Sequence, residues 1–180
     1  MEMDSREKVV EKLSGIIKSG HTPCRKLMQY DREFGIKFAN CFMHACYNLT
    51  NEQLSRNFSI QDAKGFTGFW SNDKSQILNN FISFMQETGL KITECHPSQI
   101  LKQNQWEIAY YLTTDFDSAD LLSGDYHFAL KEENDFWTAK RGFHGTVDYF
   151  DYLPKKIHRI SGDYILQGTF VITNPYAPEN

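Results

Sequence analysis

The chain lacks paired cysteine spacing, a long hydrophobic run and any excess of positive charge, and each absence removes a class of function. Its four cysteines, at positions 24, 41, 46 and 95, show no C-x-x-C pattern, and no apolar stretch opens the chain. A disulfide framework and a cleavable secretory signal are therefore not expected. Nowhere do the roughly eighteen consecutive apolar residues of a membrane-crossing helix occur. With 19 Lys and Arg against 23 Asp and Glu, the net charge of −4 supplies no clustered basic surface for nucleic acid. The short basic cluster Lys155-Lys156 and His158-Arg159 reads as a solvated loop. These absences point to a soluble protein made in a reducing cytosol, with no nucleic-acid partner and no membrane span.

What is present is material for a core: hydrophobic residues make up 41% of the 180, including 14 Phe, 9 Tyr and 3 Trp. One domain over residues 1–180 is expected, with a first helix at about 5–19 and a short tail at 175–180. Val9, Val10, Leu13, Ile16 and Ile17 have helical spacing, and Gly20 stops that helix. A glycine-aromatic loop covers 65–70, and Ser71 or Asp73 caps a helix whose apolar stripe is Ile77, Leu78, Phe81, Ile82, Phe84 and Met85. Pro97-Ser98 is expected to open a helical turn ending near Leu101. Trp106–Leu112 alternates as a strand, 113–124 has neither period, and the remainder reads as strands at Asp125–Leu130, Phe136–Lys140 and Tyr164–Thr173. Helices first and antiparallel strands last define an α+β chain.

The chemistry is expected at Cys41. Asn40 is a good N-cap, which puts Cys41 in the first turn of a helix with the stripe Phe42, Ala45, Cys46 and Leu49. There, unsatisfied backbone N–H groups favour a thiolate. Much later, His127 lies on a strand, and a cysteine opening a helix followed by a strand histidine gives a nucleophile and its base. The backbone N–H of Cys41 is the first candidate donor to an oxyanion; the Asn40 side chain is a second, in competition with its role as cap. His44 shares the face of Cys41 and could act as a local base or half of a metal pair. A metal site needs three or four ligands, however, and neither Cys46 nor Cys95-His96 has the spacing. A packing or solvent-edge role for His44 is expected instead, with no metal and no cofactor.

Several short patches sharpen this reading. Asn40-Cys41 with Ala45, Asp125-Tyr126-His127-Phe128, Trp137-Thr138-Ala139-Lys140, and the closing strand from Tyr164 through Gly168 and Phe170 resemble a group of bacterial papain-like proteins. Members of that group carry an Asn-Cys-x-x-x-Ala helix, an Asp-(Tyr/Phe)-His-(Phe/Trp) strand, a Trp-Ser-His-Lys-Pro-Gly strand and a terminal Tyr-x-x-Phe-x-Gly-Tyr-Phe strand. The resemblance implies a papain-like fold, with N-terminal helices including the cysteine helix followed by a C-terminal antiparallel sheet. It also implies a cysteine-dependent acyl-transfer hydrolase of the protease, deamidase or transglutaminase type. Cys41 and His127 would form its dyad, and a protein or peptide would be its substrate. Delivery of such a domain into a host cell as a bacterial effector fits its size and missing signal. One departure matters: Ala139 stands where the group has a histidine that would orient the base. A catalytically degenerate relative that binds a protein partner is the alternative.

Overall fold

The computed structural model describes residues 5–23, 40–49, 51–59, 71, 73–96, 98–113, 125–141, 146–159 and 162–179. The loops expected at 65–70 and 114–124, Cys24 and the extended lead-in to Asn40 lie outside the described residues.

Among the described residues, four helices precede the sheet: α1 (Ser5–Lys18), α2 (Cys41–Cys46), α3 (Asn51–Asn57) and α4 (Lys74–Glu87). In α1, Val9, Leu13 and Ile17 recur at three- to four-residue spacing and are buried, so one stripe meets the core. Asp73 caps α4 by accepting the Ser75 N–H at 2.9 Å. The α4 stripe of Ile77, Phe81, Phe84 and Met85 is buried. Both helices stop at a glycine with left-handed φ, +86° at Gly20 and +95° at Gly89, a conformation a Cβ disfavours. None of the described helices is long and apolar enough to cross a membrane.

Seven strands follow among the described residues: β1 (Lys91–Glu94), β2 (Gln105–Thr113), β3 (Tyr126–Lys131), β4 (Trp137–Lys140), β5 (Val147–Phe150), β6 (Lys156–Ile157) and β7 (Tyr164–Thr173). Every pairing is antiparallel, in the order β1-β7-β2-β3-β4-β5, and β6 joins the edge of β7 that β1 also uses. The protein is thus α+β with one antiparallel sheet. β5 and β6 are additions to the strands expected from the sequence, and both are too short to show a period. Residues 98–101 form no helical turn; a single Gln99 N–H to His96 carbonyl bond turns the chain there.

The two faces of the sheet differ. Trp106, Ile108, Tyr110, Leu112, Tyr126, Phe128 and Leu130 face the helices and form the main core with Phe42, Phe81 and Phe84. Ala109, Tyr111, Ala129, Trp137, Ala139 and Tyr164 form a second core on the other side. There the chain after β5 folds back, and the Tyr111 hydroxyl donates to the Pro154 carbonyl at 2.9 Å. Burial on both faces explains why β2 is buried along nearly its whole length rather than alternating with solvent.

A register shift sets the parity of β7. Tyr110 pairs with Gly168 but Tyr111 with Leu166, leaving Gln167 as an extra residue. Phe170 and Ile172 therefore join the helix-side core, while Tyr164 and Leu166 pack on the far side. The segment after β7 is docked rather than a loose tail. Asn174 Nδ2 donates to the Ile17 and His21 carbonyls at 3.0 and 2.7 Å, and Ala177 is buried.

Candidate functional site

The site is built where the first turn of α2 meets the start of β3. Asn40 Oδ1 accepts the Met43 N–H at 2.9 Å, so the expected cap forms and the side-chain oxygen is committed to it. Its amide NH2 is what remains for any oxyanion. Cys41 follows as the first helical residue and is buried.

The backbone N–H groups of Phe128 and Phe42 both point at its sulfur. The Phe128 contact has a clear origin in the sheet. β3 and β4 pair at Leu130 with Thr138 and Lys131 with Trp137. One step nearer the start of β3, the N–H that could continue this ladder meets Cys41 instead. Burial, followed by the Asp125 carboxylate, pushes the thiol up to about 12, and the two N–H groups and Arg159 offset this only in part. In this arrangement Cys41 is a protonated thiol.

His127 leaves β3 on the face opposite to Tyr126 and Phe128, because adjacent strand residues alternate. Its ring packs on Tyr164 at 5.0 Å and Tyr111 at 6.5 Å between centroids. Its Nε2 accepts from Arg159 Nη2 at 2.9 Å, which fixes a neutral ring with the proton on Nδ1. Burial holds its pKa well below the usual histidine range, and the charges of Arg159 and His44 lower it further. The structure thus brings Cys41 and His127 to one end of β3 without a hydrogen bond between thiol and imidazole. Arg159 stands in relation to both.

Arg159 belongs to the basic cluster assigned above to solvent, and that assignment is corrected. Lys156 and His158 pair with Asp163 at 2.6 and 2.8 Å, whereas Arg159 turns inward and lies 5.4 Å from the centre of the Tyr164 ring. The Tyr164 hydroxyl donates to Asp125 Oδ2 at 2.5 Å, and Asp125 Oδ1 accepts the Tyr126 N–H at 2.8 Å. Asp125, Arg159 and Tyr164 are therefore members of the site that sequence reasoning missed. The β7 register shift that carries Tyr164 across is invisible in the sequence.

Comparison with family models, curated proteins and solved structures finds no match to this chain.

Of the two roles expected for His44, packing or solvent edge, the structure places it in the first: it is fully buried, and its Nε2 lies 2.9 Å from Thr138 Oγ1. Thr138 in turn donates to Glu132 Oε1 at 2.5 Å. Burial pulls the His44 pKa down to about 3, aided by the Lys140 charge, so the ring is neutral and can donate to Thr138. Thr138 and Lys140 face α2, while Ala139 packs in the far-side core, as strand alternation requires. Asp135 pairs with Lys131, which Glu107 shares, and Asp148 pairs with Arg141, so each of these carboxylates is engaged by a cation. Among the described residues, no three His, Cys, Asp or Glu side chains converge as a metal site.

Proposed function

We propose that the protein is a papain-like, cysteine-dependent acyl-transfer enzyme with Cys41 as nucleophile and His127 as base. The observation that carries this reading is the position of Cys41: it opens α2, and its sulfur lies against the Phe128 N–H, next along β3 to His127. In the mechanism, the Cys41 thiol transfers its proton to His127 and the sulfur attacks an acyl carbon. The tetrahedral oxyanion collapses to a thioester as His127 returns the proton to the leaving group, and water or an amine then resolves the thioester. Backbone N–H groups at the start of α2 are the natural oxyanion donors. A protein or peptide is the acyl donor this reading expects, and a bacterial effector acting inside a host cell remains its biological setting.

The mechanism requires two changes from the arrangement described: Arg159 must leave His127 Nε2, and an acyl group must reach the buried Cys41 sulfur. A generic donor tests the chemistry. With p-nitrophenyl acetate, the wild type should give a burst of p-nitrophenol and one acetyl group on the Cys41 peptide, absent in Cys41→Ala and slowed in His127→Ala. A burst that survives Cys41→Ala would remove the proposal.

The engagement of His127 by Arg159, together with Ala139 beside it, favours a second reading: a non-catalytic papain-like shell that binds a protein. In that case no acetyl-cysteine forms in any variant.

A further inference from the structure

The cations near the site differ in what answers them. Lys156 and His158 share Asp163, and Arg141 pairs with Asp148. Among the described residues, Arg159 has no carboxylate partner: its Nη2 donates to His127 Nε2 at 2.9 Å, its charge lies over the Tyr164 ring, and its buried Nε makes no hydrogen bond. A guanidinium is a planar fork of N–H donors, and a charged donor buried without an acceptor is costly. Asp125, the carboxylate of this site, is held by the Tyr164 hydroxyl and the Tyr126 N–H instead.

An imidazole answers such a fork poorly, because it is neutral and offers a single lone pair. A carboxylate offers two oxygens and a full charge, and its paired hydrogen bonds to a guanidinium are stronger than the one they replace. We infer that Arg159 is the binding site for a carboxylate on the acyl donor: the carboxylate takes the guanidinium from His127 Nε2 and so frees the base once the donor is in place. The inference rests on the acyl-transfer reading of the same site and deepens it by naming the substrate class, acyl groups that carry a carboxylate close to the reacting carbon. The proton balance is unchanged. The thiol proton goes to His127, and Arg159 keeps all of its own.

Two opposed charges act on Cys41: Asp125 pushes its thiol up and Arg159 pulls it down, with Asp125 the stronger. An anion arriving at the sulfur is therefore repelled by Asp125 unless it makes direct contact with Arg159, where the short distance gives the attraction the advantage. Removing Arg159 leaves Asp125 as the charge that such an anion meets.

The test uses the full chain and two alkylating reagents of similar size, iodoacetate, which carries a carboxylate, and iodoacetamide, which is neutral. Both react with the same Cys41 thiolate, so the ratio of their rates cancels its ionisation. The ratio at Cys41 in the urea-unfolded chain is the reference. The inference expects the ratio of iodoacetate to iodoacetamide in the folded wild type to exceed that reference, a comparison that needs no variant to fold. In Arg159→Met the ratio should drop about tenfold, the loss of a charge-assisted pair, and fall below the reference. In Arg159→Lys, which keeps the charge and loses the fork, it should lie between the two. A wild-type ratio at or below the reference, or one unchanged in Arg159→Met, overturns the inference. If the ratio behaves as expected while neither p-nitrophenyl acetate nor p-nitrophenyl succinate acylates Cys41, the carboxylate site stands and the acyl-transfer reading fails. If p-nitrophenyl acetate acylates Cys41 and the ratio is indifferent to Arg159, the acyl-transfer reading stands and the carboxylate site falls.

Discussion

At the scale of single residues, Arg159 decides the state of the site. It donates to His127 Nε2, and its charge adds to burial in holding the imidazole neutral. Replacing it with Met leaves the burial and removes the charge. The His127 pKa should then rise toward the ordinary value of about 6.5, read from the Cε1 proton shift across pH; a pKa that does not move contradicts the assigned cause. Thr138 is the second decisive residue, because its hydroxyl lies between His44 Nε2 and Glu132 Oε1 in a fully buried position. Thr138→Val keeps the shape and removes both bonds, and should cost about 1–3 kcal/mol in urea unfolding. Neither residue announced itself in the sequence. Arg159 stood in a run of cations that composition alone assigns to solvent, and Thr138 was legible only as a residue pointing away from Ala139.

At the scale of elements, α2 has six residues and cannot stand by its own propensity. It is held by the Asn40 cap and by the burial of Phe42 against Phe81, Phe84 and Phe128 at ring-centroid distances of 5.4 to 6.1 Å. Asn40→Ala should cost about 1 kcal/mol in chemical denaturation, and a loss of Cys41 reactivity well beyond that destabilisation would show that the cap also positions the thiol. The cap, the stripe and the strand carrying His127 could all be read from local pattern, because each depends on neighbours within a few residues. The face on which Tyr164 lies depends on the extra residue at Gln167, a pairing between distant segments that no local period encodes. Deleting Gln167 removes the extra residue while Gly168 stays opposite Tyr110 and Leu166 opposite Tyr111, so Tyr164 and Leu166 should keep the far face and Tyr164 its place against His127. The urea midpoint should change little; a collapse of the midpoint would contradict the assigned register. The short β5 and β6 escaped the sequence reading for the same reason: pairing with longer strands defines them.

At the scale of the whole molecule, two buried neutral histidines make the fold sensitive to acid. The pKa of His44 falls from 6.5 to about 3 on folding, and that of His127 also falls well below 6.5. Below the unfolded value the unfolded chain binds more protons, so their contribution is intact above pH 6.5 and is lost as pH falls from there toward about 3. Urea midpoints should accordingly decline by several kcal/mol in stability between pH 7 and pH 4, and the decline should be shallower in His44→Leu. Above pH 8 the same sign holds for Lys140: the unfolded chain holds the proton longer, so neutralising the buried amine adds stability as pH rises toward its ordinary value of about 10.4.

The central claim is that Cys41 and His127 act together. It is tested most directly by the pH dependence of iodoacetamide labelling, followed by peptide mapping, in wild type and His127→Ala with half-exposed Cys95 as internal reference. Burial pushes the Cys41 thiol up to about 12, so its labelling should climb toward the alkaline end. The account predicts that, normalised to Cys95, Cys41 labels faster at neutral pH in wild type than in His127→Ala, with the rise shifted to higher pH in the variant. A Cys41 labelling profile unchanged in His127→Ala contradicts it.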